Sequence, residues 1–217
     1  MPYRVRVPSY IVVEGPIGAG KTSLALRLAE SFGSDLLLES AKENPFLKRF
    51  YKQPKQYALS TQLSFLLQRA DQLQSLRQSD MFEKIRVADF LIEKDRLFAE
   101  ITLDVHELAL YDQVYAHLTL EVPLPNLVIY LQAPVATLQQ RIRKRGIVFE
   151  QRIEDEYLQR LSDSYMHFFH AYDAAPLLIV NADTIDFVHR ESDYQLLLEK
   201  ICEMNSGRHY FNPEAIT

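Results

Sequence analysis

Three glycines, a lysine and a threonine fall inside one eight-residue stretch, Gly15 to Thr22, reading GPIGAGKT. The pattern G-x-x-x-x-G-K-[ST] is met by Gly15, Gly20, Lys21 and Thr22, which makes a complete phosphate-binding loop. Glycines let backbone N–H groups turn inward around β- and γ-phosphates, Lys21 neutralises their charge, and the Thr22 hydroxyl is a Mg²⁺ ligand by type. Tyr10 to Val13 reads as a strand and Ser23 to Glu30 as a helix with leucines at helical spacing, so strand, loop and helix come in the order the motif requires. The predicted triphosphate contacts are Gly15, Pro16, Ile17, Gly18, Ala19, Gly20, Lys21, Thr22 and Ser23.

Two acids stand at predicted strand ends: Glu39 after Leu36-Leu37-Leu38, and Asp89 after Arg86-Val87-Ala88. Beside a phosphate site, one carboxylate suits a metal and the other suits the proton of an acceptor. Either also suits the cap of a following helix. A predicted helix from about Ala58 to Arg77 carries Gln62, Leu66 and Arg69 on one face, an amide and a guanidinium able to meet the edge of a base or simply water. A later helix, about Val135 to Lys144, is followed by Arg145 and Gly146, and its cations Arg141, Arg143 and Lys144 with Arg145 read as a lid over phosphates or as charges complementing a helix C-terminus. His167 and His170 have metal-compatible spacing but no further ligand cluster, and read as packing or surface residues.

The elements that must hold these residues are apolar runs at Ile11 to Val13, Leu36 to Leu38, Ile85 to Ala88, Leu127 to Leu131 and Leu177 to Val180, separated by helical segments. This alternation predicts an α/β doubly wound fold with a parallel sheet, whose ligands bind beyond the carboxyl ends of the strands. No linker or repeat divides the 217 residues, which predicts a single domain, 1–217, and 47% hydrophobic residues suffice for its core. A net charge of −5 argues against a general nucleic-acid or anionic-membrane binder. Cys202, the sole cysteine, excludes an intrachain disulfide and suits a cytoplasmic setting, and no stretch is long enough to span a bilayer.

Together these residues resemble the deoxynucleoside kinase family, especially its bacterial deoxyadenosine/deoxyguanosine kinase branch, from Tyr10 to about Phe187. EGPIGAGKTSLA looks like that family's phosphate loop, and LLLESAKENPFLKRFY like its second strand and substrate segment. The resemblance implies a P-loop nucleoside-kinase-like three-layer fold with an arginine-bearing lid, about 141–152, and a C-terminal tail, about 204–217. It implies ATP-dependent phosphorylation of a deoxyribonucleoside 5′-hydroxyl, with a lean toward purines, ATP and Mg²⁺ as cofactors, and a homodimer. By the same match Glu39 is the catalytic base, Tyr51 and Glu150 hold the sugar 3′-hydroxyl, and Gln62, Arg69 and Asp95 meet the base. Arg141 and Arg145 are the lid cations, Asp89 with Thr22 the Mg²⁺ partners, and Phe187 the aromatic stacked on adenine.

Two positions depart from the family pattern. Phe90 stands where an arginine usually follows the acid after the third strand, and Ile147 where the lid has another arginine. Losing a transition-state arginine costs on the order of 10³-fold in rate. Either Lys94, Arg96 or Arg152 replaces the charge, or the chain is a nucleotide-binding module with weakened transfer. A nucleoside monophosphate kinase of the thymidylate kinase kind is the remaining alternative, but that group places an arginine beside the acid after the second strand, and Ser40 follows Glu39 here.

Overall fold

The computed structural model describes residues 8–78, 85–119 and 122–213. Both ends of the expected domain, including the last four residues of the C-terminal tail, lie outside the described residues. Six parallel strands form one sheet in the order β2-β3-β1-β4-β5-β6. They are β1 (Tyr10–Glu14), β2 (Asp35–Leu37), β3 (Arg86–Ala88), β4 (Leu127–Gln132), β5 (Leu177–Asn181) and β6 (Arg208–Phe211). The helices are α1 (Lys21–Phe32), α2 (Leu47–Phe50), α3 (Pro54–Gln78), α4 (Lys94–Thr102), α5 (Val105–Leu118), α6 (Val135–Arg145), α7 (Asp155–Ala171) and α8 (Glu191–Glu203).

The predicted α/β class and its five strands are present, with shifts of a residue or two at their ends. Strand β2 stops at Leu37, so Glu39 stands two residues beyond it, whereas Asp89 directly follows β3. The sixth strand, β6, falls in the expected tail and pairs with β5 from Leu177↔Arg208 to Val180↔Phe211.

Strand β1 lies in the middle of the sheet, and Ile11, Val12 and Val13 are all fully buried. Alternate side chains point to opposite faces, so such a run needs a helical layer on each side. Ile11 and Val13 pack with Leu24 and Leu28 of α1, Leu138 and Ile142 of α6, and Leu197 of α8. Val12 packs with Leu97 of α4 and Leu161, Tyr165 and Phe169 of α7. At about 1.5–3 kcal/mol per fully buried aliphatic or aromatic side chain, these two layers supply most of the drive that sets the sheet. A third cluster joins Leu66 and Leu73 of α3 to Phe90, Ala99 of α4 and Tyr111 of α5, and so fixes the long helix against the strand-end segments that line the site. No helix among the described residues is long and apolar enough to cross a membrane.

Candidate active site

The phosphate loop is built by close approach. A Cβ on Gly15 would stand 2.5 Å from the Leu131 carbonyl oxygen, and one on Gly18, at φ +87°, would stand 2.7 Å from the Leu138 carbonyl oxygen. Only glycine lets the loop lie so near both the end of β4 and helix α6. The Lys21 ammonium donates to the carbonyl oxygens of Gly15 (2.8 Å) and Pro16 (3.3 Å). Burial, then the neighbouring Lys94 charge, pull its pKa below the ordinary lysine range. An anion arriving in the loop therefore meets an ammonium whose own hydrogen bonds go to neutral carbonyl oxygens.

Asp89 ties the loop to the second strand segment. Thr22 Oγ1 donates to Asp89 Oδ2 at 2.5 Å, and the Glu39 backbone N–H donates to Asp89 Oδ1 at 2.7 Å. Burial raises the Asp89 pKa despite these two donors. A hydroxyl and a carboxylate in contact are a hard-oxygen pair that fits Mg²⁺, a cation that takes oxygen ligands. Among the described residues no group of three or more His, Cys, Asp or Glu side chains is placed to hold a metal alone.

Glu39 is the centre of a buried charge network. Arg69 of α3 contacts Glu39 Oε1 through Nη2 and Asp95 Oδ1 through Nη1. Lys94 of α4 donates to Glu39 Oε2 at 2.9 Å and lies 3.1 Å from Glu14 Oε1. Burial alone would raise the Glu39 pKa, but Arg69, Lys94 and Lys21 outweigh it and hold the carboxylate far below its usual range. Burial dominates at Asp95 instead, pushing it up to about 7 against the pull of Arg69 and Lys94. The Asp95 Oδ2 and Arg69 Nε atoms are buried without a hydrogen-bond partner, so this pair keeps unused polar capacity.

Lys21, Thr22, Glu39, Arg69, Asp89 and Lys94 line one cleft of about 430 Å³, together with Ile17, Gly18, Tyr51, Gln62, Arg145, Ile147 and Glu150, whereas Asp95 and Glu14 are buried outside its lining. The segment expected as a lid leaves α6 through Gly146, at φ +71°, and Arg145 donates to Glu150 Oε2 at 2.5 Å. Tyr51 stacks on Phe149 with ring centroids 5.8 Å apart, and burial with the neighbouring Tyr157 and Glu150 raises its phenol pKa well above normal. Gln62 donates to the Thr102 hydroxyl at 3.2 Å.

Other predicted site residues lie elsewhere. Arg141 turns behind the loop and donates to the carbonyls of Ala19 (3.2 Å) and Ala182 (2.6 Å), so Arg145 is the lid arginine that lines the cleft. Phe187 is 2% exposed, with its ring edge against Gly20. Of the three cations that stood in for the missing arginines, Lys94 alone lines the cleft. Arg96 pairs outward with Glu100 and Asp112, and Arg152 is exposed in the short turn after the lid. Phe90 is 0% exposed and spent on core packing. A larger cleft, about 600 Å³, lies by Tyr130, Asn181 and Tyr210, but the described residues that line it include no lysine, arginine or histidine and offer phosphates no charge.

The sequence reading missed Glu14. It is fully buried at the end of β1 and accepts from the N–H of Gly15 (2.8 Å) and Leu91 (2.9 Å) and from the Tyr165 hydroxyl (3.0 Å). A carboxylate closing a β-branched run immediately before the glycine loop was the available signal. Tyr157, Phe65 and Phe98 also line the cleft, and nothing in their spacing marked them.

A family model for deoxynucleoside kinases matches residues 11–205. The chain is 39% identical over 202 residues to a deoxyguanosine kinase of Bacillus subtilis (strain 168), covering 90% of this chain and 97% of that one. It is 33% identical over 207 residues to a deoxyadenosine kinase of Lactobacillus acidophilus, covering 89% and 94%. Among solved structures, deoxyadenosine kinase from M. mycoides with bound dATP superposes with a TM-score of 0.77 at 26% identity, covering 88% of this chain and 98% of that one. The chain belongs to the deoxynucleoside kinase family and is a phosphotransferase. The monophosphate-kinase alternative is set aside by these matches.

Proposed function

We propose that this enzyme transfers the γ-phosphoryl group of ATP to the 5′-hydroxyl of a purine deoxynucleoside. The observation that carries the reading is the placement of Glu39, which shares one cleft with Lys21 and Thr22 on one side and with Gln62 and Arg69 on the other. Glu39 accepts the 5′-hydroxyl proton as the oxygen attacks. Its low pKa makes it a weak base before transfer, which suits a loose transition state in which the proton leaves late and positioning contributes most. Lys21 and the loop N–H groups hold the β- and γ-phosphates, and Arg145 closes from the lid. Thr22 and Asp89 would hold Mg²⁺, which when bound neutralises the β/γ oxygens. Arg141 and the Phe187 segment form the wall on the adenine side.

Tyr51 and Glu150 clamp the sugar 3′-hydroxyl. Gln62 and Arg69 face the base, with Asp95 buried against Arg69, and the Asp95 carboxyl accepts from an N–H of the base edge while Arg69 donates, a pairing that favours a purine carrying both types of group. The purine choice also follows the deoxyguanosine and deoxyadenosine kinases matched above. The direct test offers purified protein Mg-ATP and each of the four deoxynucleosides separately, with the monophosphate detected directly; comparable turnover of thymidine would sink the purine assignment.

The enzyme acts as a homodimer in this reading. Helix α5 leaves apolar side chains in water, with Val105 74% and Leu110 49% exposed, and Leu67 of α3 is exposed as well. A second copy covering this face buries what water otherwise meets. Light scattering is expected to give twice the chain mass for the wild type and the single mass for Leu110→Glu; a monomeric wild type refutes it.

A further inference from the structure

Phe90 leaves the acceptor side of the cleft without the arginine its position usually carries, and the backbone supplies a different cation one short turn later. The Lys94 N–H donates to the Leu91 carbonyl at 3.2 Å, closing a turn whose own Leu91 N–H is held by Glu14 Oε1 at 2.9 Å. Glu14 therefore fixes both the turn and the ammonium it delivers. Lys94 is 1% exposed and its Nζ sits between Glu14 and Glu39 while lining the cleft. A lysine needed only to neutralise Glu14 would have no reason to reach the second carboxylate across the cleft wall.

We propose that Lys94 is the positioning cation of phosphoryl transfer, holding the Glu39 carboxylate aimed at the acceptor hydroxyl in place of the arginine absent at Phe90. The inference rests on the kinase reading above. In the transfer step the bond from the acceptor oxygen to the γ-phosphorus forms, the bond from that phosphorus to the β-bridging oxygen breaks, and the hydroxyl proton passes to Glu39. Lys94 stays protonated throughout. Arg69 holds the other Glu39 oxygen but is shared with Asp95, so Lys94 is the cation on Glu39 that base recognition leaves undisturbed.

The test compares wild type, Lys94→Met, Lys94→Arg and the double variant Glu14→Gln/Lys94→Met. Nucleoside affinity is measured by calorimetry without ATP, and kcat and KM with Mg-ATP and the best deoxynucleoside. Lys94→Met is expected to lose about 10²-fold in kcat with nucleoside affinity within about threefold, and Lys94→Arg to recover about tenfold of that loss. Should Lys94→Met fail to fold for want of a partner to Glu14, the double variant removes both buried charges together and is expected to show the same kcat loss. A double or single variant turning over within about threefold of wild type overturns the proposal, as does a loss confined to KM. A wild type that phosphorylates no deoxynucleoside sinks the kinase reading itself, so the two failures are distinguishable.

Discussion

Replacing Glu39 by glutamine changes one oxygen to an amide nitrogen in an acceptor held by two cations from two helices. Two effects separate cleanly. For catalysis, a positioned general base contributes about 10²–10⁴-fold, so kcat of Glu39→Gln falls by that factor while nucleoside affinity changes little. For stability, the amide oxygen still accepts from one cation, but the amide nitrogen faces the other. Arg69 keeps Asp95 and Lys94 keeps Glu14, so neither is orphaned. The net loss is one charge-assisted hydrogen bond, about 2 kcal/mol. For a chain of this size that lowers Tm by about 4–8 °C. ADP release in a coupled assay reads the first effect and a calorimetric melt the second. Turnover within about threefold of wild type refutes Glu39 as the base, and an unshifted melt refutes the two-cation grip on it.

Asp95 has a folded-state pKa raised to about 7, so its contribution to stability is fully present below the ordinary carboxylate pKa and is lost as pH rises through about 7. Urea midpoints are expected to fall for wild type relative to Asp95→Asn between pH 5 and pH 8; parallel profiles would show that the carboxyl is not held up by burial. Gly18→Ala must place a Cβ 2.7 Å from the Leu138 carbonyl at positive φ, costing about 1–3 kcal/mol and pushing the loop from α6. Its KM for ATP is expected to rise more than its nucleoside KM, and an equal change in both would disconnect this approach from the nucleotide side.

What was legible in the sequence was whatever local chemistry decides. Strands β1, β4 and β5 could be read because burial on both faces demands unbroken apolar runs, and the loop because its glycines have no substitutes at such close approach. Strand β6, reading RHYF, carries no such run: its extended form comes from pairing with the edge of β5, a tertiary effect. The same division runs through the site. Glu39, Asp89 and the lid stood out by position, but the contact of Arg69 with both Glu39 and Asp95 joins residues 30 and 26 apart in the chain, and only packing of α3 on α4 sets it. Lys94 and Arg96 are the sharpest case. Two residues on a helix are about 200° apart, so one of the pair had to enter the cleft and the other had to leave it. Composition could not choose between them; Leu97 and Phe98 do, because they lie one turn on from Lys94 and packing that face of α4 against the core and the cleft turns Lys94 inward to Glu39, while Arg96 goes out to Glu100 and Asp112.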